Sequence, residues 1–121
     1  MFTTRRVVVV EADREAAEML HTFFRLMELE CSLVRPALDT AATVRRLHPD
    51  VLILDLDLPD LRALDIAREL RTIQPTLPII YLSERDASVP LDAPVMRKPR
   101  DRFEELLRLF EMVLLLERGC E

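Results

Sequence analysis

At 121 residues, with half of the side chains apolar and 32% charged, the chain has the size and mix of one ordinary domain, expected over residues 1–121 and core-stabilised without staples. A net charge of −5 argues against nucleic-acid binding, and the only glycine, Gly119, excludes glycine-rich phosphate loops, which need backbone positions that a Cβ forbids. Neither Cys31 and Cys120 nor His21 and His48 have metal-ligand spacing, no long apolar run offers a membrane span or a signal segment, and a cytoplasmic, non-membrane protein is expected.

In chain order, residues 7–10 form an apolar run without polar alternation, the mark of a strand covered on both faces. Asp13 is placed to cap a first helix, with Glu15 and Glu18 in its first turn and Ala17, Leu20, Phe24 and Met27 on one face. Residues 31–34, closed by Pro36, predict a second strand. Asp39 or Thr40 begins a second helix through Val44 and Leu47 to His48, where Pro49 stops it. Residues 51–54 are a third strand, 64–73 a third helix ending before Pro75, and 77–82 a fourth strand.

A fifth strand is expected at 95–97, closed by Pro99. The connection before it contains Pro90 and Pro94 and is too short for both that strand and a helix of about eleven residues with its turns. The helix expected there is shortened or missing. Asp101 caps a long last helix through Arg118, with Gly119 as its stop. Regular alternation of covered strands and helices predicts an α/β fold, a doubly wound five-stranded parallel sheet in the flavodoxin-like order 2-1-3-4-5.

In such sheets ligands bind beyond the carboxyl ends of the strands. Those ends carry Glu11, Asp55, Ser83 and Lys98. Glu11 or Ser83 alone is commonly solvated punctuation, but Asp55 follows four apolar residues of a central strand, where a charge is costly without partners. Lys98 is the single lysine among 17 basic residues. Its position therefore asks for a compact ammonium rather than a planar guanidinium.

The segments VVVVEADRE, PDVLILDLDLPD, PIIYLSERD and VMRKPRD, in this order and spacing, resemble the response-regulator receiver family over nearly the whole chain. The resemblance implies two-component signalling. Asp55 would be the phospho-acceptor, served by a histidine kinase or phosphotransfer protein, with Ser83 binding the phosphoryl group, Lys98 contacting the acceptor, and a cis Lys98–Pro99 bond. A carboxylate is a weak nucleophile towards an anionic phosphoryl group, so Mg²⁺ and an ammonium must offset the repulsion. Glu11, Asp55 and Asp57 are the expected Mg²⁺ ligands, a metal that needs only one or two carboxylates.

The chain departs from the family in several places. Ala12 stands where a second acid is usual; Asp13 is read as a helix cap, and Asp57 as the replacement ligand. Glu84 brings bulk and charge to a position usually kept small, Ala63 replaces a glycine, and Val95 replaces an aromatic switch residue, with Tyr81 read as core. The last helix spreads its apolar residues over roughly 220°. Beyond a core stripe of Phe103, Leu106, Phe110 and Val113, the residues Leu109, Met112 and Leu116 are expected either to face a protein partner or a second copy, or to be covered by the loop that stands in for the lost helix.

These departures leave an alternative open, a phosphorylation-independent receiver-like interaction module. Asp55-Leu56-Asp57 also resembles the DxD pair of haloacid-dehalogenase-type phosphatases. That motif, however, closes a first strand in longer chains with a cap, whereas two βα units precede it here, so a non-enzymatic role is expected. With the last helix running to Gly119, no output domain is expected within these residues.

Overall fold

The chain runs β1 (Arg6–Val10), α1 (Arg14–Leu26), β2 (Glu30–Val34), a short 3-10 turn (Ala37–Asp39) into α2 (Thr40–Leu47), β3 (Val51–Asp55), α3 (Ala63–Ile73), β4 (Ile79–Ser83), β5 (Val95–Arg97) and α4 (Phe103–Arg118). This computed structural model describes residues 5–35, 37–58, 63–84, 95–98 and 103–118, with the backbone alone for 97, 103 and 116–118. All five strands pair in parallel in the order β2-β1-β3-β4-β5, as the alternation predicted. The helix expected to be shortened or missing falls on residues 85–94, outside the described residues. So do Asp101, Pro99 and Gly119, and with them the last helix's cap and stop and the cis bond.

Successive strand residues point to opposite faces. Val7 and Val9 pack with Leu20, Phe23 and Phe24 of α1 and with Leu106 and Val113 of α4, whereas Val8 and Val10 pack with Val44 of α2 and Ile66 and Leu70 of α3. With helices on both faces every position of the central β3 and β4 is buried, as are residues 7–10 of β1, and these strands lose the polar alternation of a half-exposed sheet. Phe23 joins the first layer edge-on, its ring centroid 5.7 Å from Phe24 and 6.3 Å from Phe110. Cys31 is a free thiol on the same side, and burial pushes it up to about 12. Among the described residues no helix is long and apolar enough to cross a membrane.

The helix ends follow local chemistry. Asp13 caps α1, its carboxylate accepting the N–H of Glu15 at 2.9 Å and of Ala16 at 3.5 Å. The returns from α1 and α2 pass through Glu28 and His48 at φ 64 and 46, the left-handed region where glycine is the usual residue. β4 starts later than residue 77, because the Leu77 N–H is spent on Gln74 O in the turn after α3, and Pro78 has no N–H to give.

The face of α4 differs from expectation. Leu109 is 1% exposed and sits in the core with Leu106 and Val113, and Met112 is half-buried against the same core. Positions 106, 109 and 113 lie within about 60° of one another around a helix, so they form the stripe, while Leu115 on the opposite side is the exposed one. A partner contact through Leu109 is thereby ruled out. Met112 contributes to packing, and the side chain of Leu116 lies outside the described residues.

Candidate functional site

Parallel pairing brings the strand ends to one rim. The ladder continues past the strands, with Leu56 N–H donating to Leu82 O at 2.8 Å and Lys98 N–H to Ser83 O at 2.9 Å. Residues 11, 55–57, 83–84 and 98 are thus held side by side by main-chain bonds. Glu11, Asp55 and Ser83 are all buried there.

Lys98 is the hub. Its Nζ lies 2.9 Å from Asp55 Oδ1, 3.3 Å from Glu11 Oε1 and 3.6 Å from Asp57 Oδ2. Main-chain donors hold the carboxylates in place: Asp57 N–H to Asp55 Oδ1 at 2.8 Å, Ala12 N–H to Asp55 Oδ2 at 3.4 Å, and Asp13 N–H to Glu11 Oε1 at 3.0 Å. Asp57 Oδ2 accepts the Glu84 N–H at 2.9 Å. Three acids on one ammonium leave net negative charge in a largely dry pocket, which raises the electrostatic stakes of each contact.

The titration behaviour follows from this crowding. Burial pushes Glu11 up to about 7; the Asp55 charge adds to that, and the Asp13 N–H and the Lys98 ammonium oppose it. Burial draws Lys98 down, but the hydrogen bond to Asp55 and the charges of Glu11 and Asp55 outweigh it and hold the ammonium above the ordinary lysine range.

A metal ion can be tested against these groups. Glu11 Oε2 is buried with no hydrogen-bond partner, which is costly unless a cation or a donor reaches it. Glu11 and Asp55 offer hard oxygen ligands at adjacent strand ends, enough for Mg²⁺ with the rest of its shell as water. Among the described residues no three acidic, histidine or cysteine side chains are grouped as metal ligands. Asp57, expected as the third ligand, has its Oδ2 on the Glu84 N–H at 2.9 Å.

The structure therefore gathers Glu11, Asp55, Asp57 and Lys98 directly and sets Ser83 beside them at the end of β4. Glu84 is exposed. Tyr81 is core, paired in register with Val95. Sequence reading missed the main-chain donors of Ala12, Asp57 and Glu84, since every residue but proline has an N–H and none announces its use.

Comparison with known proteins agrees with this geometry. The response regulator receiver domain family matches residues 7–94. The chain is 35% identical over 81 residues to the probable transcriptional regulatory protein TcrX of Mycobacterium tuberculosis, covering 67% of this chain and 35% of TcrX. To the DNA-binding response regulator MtrA of the same organism it is 32% identical over 85 residues, covering 70% of this chain and 37% of MtrA. The chain thus spans little more than a third of these relatives. In fold it is similar to the CheY-like receiver domain protein of Methanospirillum hungatei, with TM-score 0.79 at 15% identity over 97% of this chain and 99% of that one. The family match begins in β1 and takes in every strand as far as β4, together with the rim where the carboxylates meet, and the chain belongs to the response regulator receiver domain family.

Proposed function

We propose that this receiver accepts a phosphoryl group on Asp55 from the phosphohistidine of a histidine kinase or phosphotransfer protein in the cytoplasm, with Mg²⁺. The observation that carries this reading is the Asp55 carboxylate itself. It is wholly buried, 2.9 Å from the Lys98 ammonium, and accepts N–H bonds from two loops. A carboxylate so placed costs folding energy and is best explained by use.

An Asp55 oxygen attacks phosphorus, the N–P bond of the phosphohistidine breaks with its electron pair going to the imidazole nitrogen, and Asp55 carries an acyl phosphate. Lys98 meets the added negative oxygens, and the Ser83 hydroxyl at the end of β4 offers a hydrogen bond to one of them. Glu11 and Asp55 would hold Mg²⁺, which when bound offsets the charge between nucleophile and phosphoryl oxygens.

One observation favours the second reading, a module that signals by binding alone. Ala12, where the family usually has an acid, supplies only its N–H to Asp55. Intact-mass spectrometry after incubation with acetyl phosphate and Mg²⁺ separates the two. Gain of one phosphoryl mass in the wild type and none in Asp55→Asn supports phosphotransfer; no gain in either supports the binding module.

A further inference from the structure

Asp57 behaves unlike the other acids of the rim. Its own N–H donates to Asp55 Oδ1 at 2.8 Å, which fixes the residue just past β3. Its side chain then crosses to the end of β4, where Oδ2 accepts the Glu84 N–H at 2.9 Å and lies 3.6 Å from Lys98 Nζ. The same Nζ is 2.9 Å from Asp55 Oδ1. One ammonium thus faces both carboxylates. A negative group carried on Asp55 must bring its oxygens against that ammonium and the N–H groups around it; a main-chain N–H already serving a carboxylate is not available to a second anion, and an ammonium whose charge is shared with one attracts a second less strongly.

We propose that Asp57 is a resident anion that competes with the phosphoryl group for Lys98 and the Glu84 N–H, and so sets how readily the site is loaded. The proposal rests on the reading of Asp55 as phosphoryl acceptor and adds a restraint on it. Asp57 is 42% exposed where Asp55 is 0%. Its carboxylate can rotate into water at small cost, whereas that of Asp55 cannot. In the unloaded site Asp57 partly satisfies the ammonium and the main-chain donor; on loading, one side-chain rotation hands both to the new oxygens. A metal-ligand role for Asp57 predicts the opposite sign, because its removal would then weaken Mg²⁺-dependent loading.

The test is titration of the full chain with beryllofluoride at saturating Mg²⁺, for wild type, Asp57→Ala and Asp57→Asn. Asp57→Ala should bind roughly three- to tenfold more tightly, a modest gain because the lost contact is half-exposed. Asp57→Asn should fall between, since its amide oxygen still accepts the Glu84 N–H without the charge. Equal or weaker binding by Asp57→Ala overturns the proposal, and Asp57→Asn binding as tightly as Asp57→Ala overturns competition for the Glu84 N–H, because an amide oxygen still holding that donor would then cost loading nothing. Failure of the acceptor reading looks different, with no binding by any of the three proteins. In that event hydrogen exchange at the Glu84 amide decides: exchange roughly tenfold faster in Asp57→Ala supports occupancy of that donor by Asp57, and unchanged exchange overturns it.

Discussion

At the N-terminal rim of the sheet, Arg6 pairs with Glu30 at 3.2 Å, with side chains 46% and 51% exposed, donates to Leu47 O at 2.8 Å, and gives its N–H to Asp50. At the opposite rim Lys98 pairs with Asp55 at 2.9 Å, with side chains 10% and 0% exposed. Both rims join a cation to a carboxylate, a guanidinium at the first and an ammonium at the second, and they differ most in depth. Depth decides the consequence: an exposed pair exchanges water for a partner at little net gain, while a buried pair is held by the cost of breaking it. The first rim ties helix returns to strands. The second keeps charge where folding alone would prefer apolar side chains, and that is where the phosphoryl chemistry proposed above would take place.

Removal of one partner at each rim tests this contrast. Lys98→Ala leaves Asp55 and Glu11 buried against each other and should cost about 3–5 kcal/mol in urea unfolding. A cost under about 1 kcal/mol would erase the difference between the rims. Arg6→Ala should cost about 1 kcal/mol, mostly the bond to Leu47 O, and 0.5 M salt should remove only the smaller share that comes from the exposed pair with Glu30. The Lys98→Ala difference should hold in the same salt. The smallest effect belongs to the turns of the first rim: Glu28, exposed at φ 64, should gain about 0.5–1 kcal/mol as Glu28→Gly, read as a rise in the unfolding midpoint.

The sheet was legible because its strands are covered on both faces, and a run such as residues 51–54 has no other good explanation than a central strand. Asp55 stood out for the same reason, as a charge placed directly after that run. Lys98 stood out because the rest of the chain uses arginine for positive charge. The face of α4 was not legible. Its apolar residues cover so much of the circumference that periodicity could not choose a centre, and packing on the sheet placed Leu109 inward. Nor could a sequence foretell that Glu28 takes a left-handed turn, since glutamate does not signal one, and the modest preference of histidine for that region is too weak to have marked His48. The direction of the Asp57 carboxylate was equally hidden. It depends on a main-chain N–H of Glu84 whose position exists only once β3 and β4 are paired.

The central claim is that the buried acids and the single lysine of the second rim form an anion-accepting site centred on Asp55. Fluorine NMR of the chain with Mg²⁺ and beryllofluoride tests it most directly. The account predicts bound fluorine resonances in the wild type that are absent from Asp55→Asn; free beryllofluoride signals alone in the wild type would contradict it.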